Sequence, residues 1–164
     1  MLAPDSADAS SWLPPRWQHP DRSELATGHH LRPVRAGDVD RHLRAVLESR
    51  ERLWSLYGSV WHWPSPTLTV DRDREQLARR QTAAEQHRSF TYALFDLGET
   101  ELLGCVDIDP GPAGGAVAAV SWWVVEWLVD SPVERVLDEA LPTWIAADWP
   151  LTPGRGPVKR PSGW

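Results

Sequence analysis

Apolar residues concentrate in three runs, at positions 90–95, 101–109 and 117–127, and two short segments rich in glycine, proline and aspartate separate these runs. Runs of this kind, with aromatic and β-branched residues between turn formers, are typical of β-strands. The third run has so few polar residues that we expect it in the middle of a sheet, covered on both faces. The pattern predicts a three-stranded antiparallel meander at the centre of one hydrophobic core.

The part of the chain before the meander carries one short strand and a helical pattern. Residues 29–35 predict the strand, and Pro33, which lacks an amide proton, places it near a sheet edge. Apolar residues at helical spacing begin at Val39. Asp38 is the predicted cap of this helix, and Gly58 is the residue that we expect to stop it.

A second and more polar helix is predicted over residues 71–88. Asp71 is its expected cap, and Glu75 and Arg79 have the spacing of an i,i+4 ion pair. The apolar stripe of this segment is thin, so we expect the helix to pack by one narrow face.

The helix after the meander has the most specific start signal in the chain. Ser131, Pro132 and Glu134 form a capping box with proline at the first helical position. An apolar face follows, and Pro142 interrupts the backbone hydrogen bonds, which predicts a bend.

The two ends of the chain lack the periodicity of a helix or a strand. Residues 1–28 combine proline, serine and acidic residues with tryptophans, which predicts an arm that is either flexible or docked on another surface. Residues 149–164 form a tail rich in proline and glycine. We therefore expect one domain over residues 29–148 between an arm and a tail.

Composition narrows the classes of partner and compartment. The 164 residues carry a net charge of −6 without a block of lysine or arginine, which disfavours a nucleic acid partner. No apolar window approaches the ~20 residues that a membrane span needs, so a membrane partner is not expected. Cys105 is the single cysteine, which excludes a disulfide within the chain and indicates a reducing, cytoplasmic setting.

The order of the predicted elements, strand, helix, helix, meander and helix, resembles the first part of the GNAT acyltransferase fold. Residues 31–39 resemble the family's opening strand, which ends in Leu-Arg-Pro before a helix capped by aspartate. Residues 90–95, 102–108 and 121–125 resemble its second, third and fourth strands. The resemblance covers about residues 29–147 and implies an α+β sandwich, in which flanking helices cover a mixed sheet with a central antiparallel meander, shortened at its C-terminal end.

The resemblance also implies an acyl-coenzyme A cofactor, held by backbone donors of the fourth strand and by a glycine-rich loop at the start of the next helix. The cofactor-binding positions that it implies are Trp123, Val124, Val125, Leu128, Ser131 and Val133. The loop departs from the family pattern, because it has no glycine or basic residue and carries Asp130, Pro132 and Glu134. We therefore expect altered and weak contacts to acyl-coenzyme A.

Two places in the sequence are candidates for chemistry. Glu126 follows Trp122 and Val124 on one face of the last strand, where a carboxylate could accept a proton from an amine; a solvated residue at a strand end is an equally simple interpretation. A loop with two tryptophans around a histidine either fills the core with its rings or lines a substrate pocket. The pocket residues that we expect are Tyr57, Trp61, His62, Trp63 and Asp107.

Other reactive side chains in the sequence carry weaker signals. Asp107 and Asp109 share a strand face with Cys105, but no third ligand is visible, so no metal site is expected. Cys105 is interpreted as a small core residue rather than a nucleophile, because no basic residue is close in sequence. The arginines at positions 50, 52, 79 and 80 are interpreted as parts of solvated helix faces.

These observations favour an acyltransferase that acts on a small-molecule amine. Two alternatives stay open: a non-catalytic GNAT-like protein for small-molecule binding or dimerisation, and a biosynthetic enzyme that uses an aromatic pocket without coenzyme A. A sheet that stops after the fourth family-type strand leaves an unpaired edge, from which we expect a homodimer. The competing expectation is that the chain's own tail covers the edge with Val158 and Trp164.

Overall fold

A computed structural model describes residues 12–14, 16–111 and 117–151 of the chain. The strands are β1 (Ser23–Glu24), β2 (His30–Pro33), β3 (Phe90–Phe95), β4 (Leu102–Pro110) and β5 (Ala118–Val124). The α-helices are α1 (Val39–Glu48), α2 (Arg50–Trp61), α3 (Val70–Glu85) and α4 (Pro132–Asp148). No helix in these ranges is both long enough and apolar enough to span a membrane.

The five strands form one sheet in the order β1-β2-β3-β4-β5, and each neighbouring pair is antiparallel. The predicted meander is confirmed as β3, β4 and β5. Its third strand was expected in mid-sheet, and that expectation is wrong, because β5 is an edge strand among the described residues. Both faces of β5 are nevertheless covered over residues 120–124, which accounts for its apolar sequence.

Strand alternation gives the sheet two differently covered faces. On one face Tyr92 meets the indole of Trp144 in α4, with ring centroids 4.9 Å apart. On the other face Trp123 of β5 meets His42 of α1, and Asp107 of β4 bonds Arg80 of α3. The sheet is therefore packed between α4 on one side and the first three helices on the other.

The helical pattern before the meander divides into two helices at Ser49. This residue is fully buried, and its hydroxyl oxygen accepts a hydrogen bond from the backbone amide of Glu126, just beyond β5. The hydrogen bond of Ser49 therefore connects the junction of α1 and α2 to the end of the last strand.

Gly58 does not end α2, contrary to the sequence expectation, and the helix continues to Trp61. A β-carbon at Gly58 would lie 2.5 Å from the indole of Trp54, so the glycine provides room for that ring one turn earlier. The helix ends instead at His62, which has the left-handed conformation (φ 52°) that closes many helices. The predicted loop with two tryptophans around a histidine thus begins as helix, since Trp61 is the last residue of α2.

The polar helix α3 starts earlier than expected. Its cap is Thr69, whose hydroxyl accepts a hydrogen bond from the amide of Arg72, and Asp71 lies within the first turn. Glu75 and Arg79 form the predicted ion pair at 4.0 Å. Leu77 and Ala84 are buried, as the thin apolar stripe predicts.

The described part of the N-terminal arm is docked. Residues 23 and 24 add a short strand to the sheet, and the Tyr92 hydroxyl donates to the carbonyl of Pro20. Trp17 packs against Phe90 and against Trp149, which follows α4, with ring centroids 6.0 and 4.9 Å away. Residues 1–11 of the arm and residues 152–164 of the tail, with Val158 and Trp164, lie outside the described residues.

Helix α4 begins as predicted. The Ser131 hydroxyl accepts from the amide of Glu134, as in a capping box. The Glu134 carboxylate accepts from the amide of Asp130, one residue before the cap, while the amide of Ser131 donates to the carbonyl of Leu128. Pro142 lies inside a helix that runs without interruption to Asp148.

Candidate functional site

A cavity of about 510 Å³ opens on the sheet face that the first three helices cover. Its volume lies within the range of small-molecule sites, roughly 300–1,000 Å³. The lining combines aromatic rings from α2 and its following loop, polar residues from α3, and residues from β4 and β5. These residues are Tyr57, Trp61, Trp63, Gln76, Arg79, Arg80, Ala83, Ser89, Asp107, Ser121 and Trp123.

The floor of the cavity is a polar row across three strands. Thr91, Asp107 and Ser121 are register partners on β3, β4 and β5, so their side chains share one face. The Thr91 hydroxyl donates to Asp107 Oδ1 at 2.6 Å. The row therefore holds a carboxylate in a fixed orientation beneath the aromatic rings.

Arg80 also bonds this carboxylate, at 3.2 Å from Asp107 Oδ1. Burial lowers the pKa of Arg80 and the negative charge of Asp107 raises it, with a net rise, so the guanidinium stays charged. The interpretation of Arg80 as part of a solvated helix face is therefore wrong. Helical periodicity from Leu77 and Ala84 would have placed position 80 or 81 on the buried side, and this signal was available in the sequence.

The aromatic wall is a connected set of rings. Tyr57 and Trp61 are stacked at 5.3 Å with an interplanar angle of 17°, and Trp63 lies 6.0 Å from Trp123. Trp63 thus serves both purposes considered for its loop, since it packs on the core and lines the cavity. His62 does not line the cavity and is exposed at the helix end.

A buried hydrogen-bonded pair, His42 and Asp73, lies behind the wall. His42 Nδ1 lies 2.8 Å from Asp73 Oδ2, and His42 meets Trp123 edge to face at 6.2 Å. Both members of the pair are almost fully buried. The pair links α1 to α3 and fixes the ring that closes one side of the cavity.

Glu126 lies outside this cavity. The strand ends at Val124, and Glu126 begins a 3₁₀ turn (Glu126–Leu128) in which its side chain is exposed. Its expected place on a face of the last strand is therefore wrong, because the chain turns before alternation reaches it.

Cys105 and Asp109 also stay outside the cavity lining. Burial raises the pKa of the Cys105 thiol, which confirms it as a core residue and not a thiolate. Within the described residues, no group of three histidine, cysteine or acidic side chains could hold a metal ion.

The edge of β5 is covered from within the chain. The backbone amide of Val125 donates to the carbonyl of Leu103 on β4. Backbone groups of successive residues point to opposite sides of a strand, so those of Val124 and Trp122 point away from β4. The carbonyl of Trp122 accepts from the Tyr57 hydroxyl, and the carbonyl of Val124 accepts from Arg52 at 2.7 Å. Arg52 is thus not a solvated side chain.

Arg50 was also expected on a solvated helix face, but its side chain forms a hydrogen bond within the fold. Its guanidinium donates to the carbonyl of Ser65 at 2.7 Å, which holds the loop after α2 against the helix.

The start of α4 does not fit a pyrophosphate bound in the usual way. The amide of Asp130 already donates to the Glu134 carboxylate, the amide of Glu134 donates to the Ser131 hydroxyl, and Pro132 has no amide proton. Two carboxylates at this helix end would repel a phosphate. The amides of Asp130 and Glu134 are therefore already bonded within the chain.

The six cofactor positions implied by the resemblance lie mostly in the core. Trp123 lines the cavity, Val124, Val125 and Leu128 are buried, and Ser131 caps α4. Val133 is partly buried against the core. The amides of Val125, Leu128 and Ser131 donate to the carbonyls of residues 103, 125 and 128, so these donors are already used.

The fold is similar to that of solved acetyltransferase structures. No family model and no curated protein matches the chain. An acetyl transferase from Salmonella typhimurium that modifies the N-terminal serine of ribosomal protein L7/L12 is similar over 79% of this chain and 70% of its own, with 15% identity and a TM-score of 0.64. The chain has the fold of the GNAT acetyltransferases.

Two further structures with the GNAT fold support this placement. RimL, in complex with coenzyme A, is similar over 76% of this chain and 68% of its own, with 16% identity and a TM-score of 0.61. An acetyltransferase from Thermus thermophilus is similar over 75% of this chain and 71% of its own, with 21% identity and a TM-score of 0.52. At these identities the GNAT fold is shared, while the substrate of this chain is a separate question.

Proposed function

We propose that this protein transfers an acyl group to an amine that binds in the cavity between the sheet and α3. The observation that carries this proposal is the Asp107 carboxylate, held by Thr91 and Arg80 at the floor of an aromatic cavity in a GNAT fold. The structural neighbours named above are acetyltransferases, which supports acyl transfer as the reaction class.

In this proposal Asp107 holds the acceptor amine and receives the proton that it loses. An amine must be uncharged to attack an acyl group, and a carboxylate at hydrogen-bond distance, directly or through one water, can remove the proton. Within the described residues both hydrogen bonds of Asp107 fall on Oδ1, so Oδ2 is the oxygen that we assign to the amine.

Glu126 remains the second candidate for this proton transfer. It lies beside the end of β5, but its exposed side chain gives it no fixed orientation. The cofactor positions expected from the resemblance also stay proposals. We propose that they contact an acyl donor through groups other than its pyrophosphate.

Acyl transfer can be tested with two donors and matched variants. The wild type, Asp107→Asn, Asp109→Asn and Glu126→Gln would be incubated with small primary amines and either acetyl-coenzyme A or the short thioester S-acetyl-N-acetylcysteamine, which has no pyrophosphate. We expect both thioesters to serve, and Asp107→Asn to lower the rate by ~10- to 100-fold, because the charged acceptor of the proton is lost. Asp109→Asn is the control on the same strand.

Two results would contradict this assignment. A large loss in Glu126→Gln with full activity in Asp107→Asn would move the proton transfer to Glu126. Efficient use of acetyl-coenzyme A alone, with sub-micromolar affinity in calorimetry, would show that the start of α4 binds a pyrophosphate despite its two carboxylates.

The hydrogen bonds at the start of α4 favour one further candidate function, a GNAT-fold protein that binds a small molecule without catalysis. The amides of Asp130 and Glu134 are bonded to the Glu134 carboxylate and the Ser131 hydroxyl, as they would be in a protein that has no need of a pyrophosphate site. Ligand binding in the cavity without transfer from either thioester would support this candidate.

A further inference from the structure

The cavity carries a charge opposite to that of the protein. Its lining contains two arginines and one aspartate, which is one positive charge in excess, whereas the whole chain has a net charge of −6. An acidic protein with a cationic pocket attracts an anionic group to that pocket in preference to the rest of its surface.

Arg79 is the cation that a ligand can use. Arg80 is engaged by Asp107 at 3.2 Å, which compensates its charge. The described ion pair of Arg79 is with Glu75 at 4.0 Å, where both side chains are 69% exposed, and pairs of this kind contribute little. Arg79 can therefore exchange Glu75 for the carboxylate of a ligand at small cost.

The aromatic wall selects a flat ring. Trp61 is 45% exposed although it stacks on Tyr57, so part of its indole surface is open. Exposed indole faces stack with planar rings.

We propose that the cavity binds an aromatic amino acid as a free small molecule, with its ring on the wall, its carboxylate at Arg79 and its amine at Asp107. The three ligand groups match the aromatic, cationic and anionic parts of the lining. This proposal rests on the proposed function, since it names the acceptor of that reaction, but binding itself requires no acyl donor.

Binding can be measured by calorimetry on the full chain with three probes. L-Phenylalanine carries all three groups, L-phenylalaninamide lacks the carboxylate, and 3-phenylpropionate lacks the amine. We expect L-phenylalanine to bind ~10-fold more tightly than either analogue, since one charged contact is lost in each case. Arg79→Gln should abolish the preference over the amide, and Arg74→Gln, on the same helix and outside the cavity lining, should retain it.

Equal affinities for L-phenylalanine and its amide would overturn the proposal and indicate a peptide N-terminus as the ligand. Equal behaviour of Arg79→Gln and Arg74→Gln, or no binding of any probe, would also overturn it. Binding of L-phenylalanine that depends on Arg79, without acetylation from either thioester, would keep the ligand class and contradict acyl transfer.

Discussion

Single residues decide how the first part of the sheet is held together. Arg32 donates to both carboxylate oxygens of Asp38 and of Glu99, at 2.8–2.9 Å, while its guanidinium lies 4.2 Å above the ring of Phe95. His30 contacts the same Glu99 carboxylate. This network ties β2, the turn before α1 and the turn after β3 with charge-assisted bonds.

The network makes stability depend on pH. Hydrogen bonds from Arg32 lower the pKa of Glu99 from 4.5 to about 2. A lowered folded-state pKa gives stability that is complete above pH 4.5 and is lost as the pH falls towards 2. We expect Glu99→Gln to cost about 1–2 kcal/mol at pH 7 after allowance for solvent screening, and to flatten the stability profile between pH 4.5 and 2.

Urea unfolding at a series of pH values measures this effect. Glu101→Gln, an exposed residue of the same turn, is the matched control and should behave as the wild type. A wild-type profile that stays level down to pH 2 would contradict the assigned pKa.

At the scale of elements, Gly104 leaves no room for a side chain between β4 and β5. A β-carbon at Gly104 would lie 2.2 Å from the carbonyl oxygen of Trp123, a backbone atom that cannot move without separating the strands. We expect Gly104→Ala to lower the free energy of unfolding by ~1–3 kcal/mol.

The control for this substitution is Gly98→Ala, whose β-carbon would meet its nearest neighbour, the Thr100 hydroxyl, at an ordinary 3.5 Å. Equal urea midpoints for the two variants would show that β5 is free to shift. A displacement of Trp123 in the Gly104→Ala variant would also alter ligand binding, because this ring lines the cavity.

Elements whose signals are local could be predicted from the sequence. The meander and the start of α4 follow from turn formers and from Ser131, Pro132 and Glu134, which act on neighbouring residues. The passage of α2 through Gly58 could not be predicted, because it depends on how Trp54 packs. The two-residue β1 could not be predicted either, since its backbone is ordered only by pairing with β2.

Part of the cavity could also be predicted, because part of its signal is local in the sequence. An unusual loop with Trp61 and Trp63 indicates a pocket, and Asp107 on the neighbouring strand was assigned to it. The contact of Arg80 with Asp107 was missed, since only the fold brings α3 over β4. Glu126 was misplaced because the end of a strand is set by tertiary contacts, here the bond from its amide to Ser49.

At the scale of the whole molecule, self-association remains a prediction. Trp127 is 62% exposed and Trp54 is 45% exposed, and tryptophan is a residue type that is enriched at interfaces. The bonds from α2 to the carbonyls of Trp122 and Val124 block strand pairing at that part of the edge, so we expect a dimer through side chains.

Light scattering at micromolar concentration measures this directly. We expect a mass near twice 18.5 kDa, and Trp127→Ser should shift it towards the monomer. A single species of 18.5 kDa for the wild type would rule out the dimer.

The contact between Trp17 and Trp149 gives the folded chain an optical property. The two rings lie 4.9 Å apart at an angle of 48°, and one belongs to the arm while the other follows α4. Transition dipoles that are this close and not parallel mix, so the pair should produce a positive and a negative circular dichroism band within the indole absorption. The contribution of this pair would disappear when the arm detaches, while the pairs Trp63–Trp123 and Trp144–Trp149 remain, so the change would report on the docking of the chain ends.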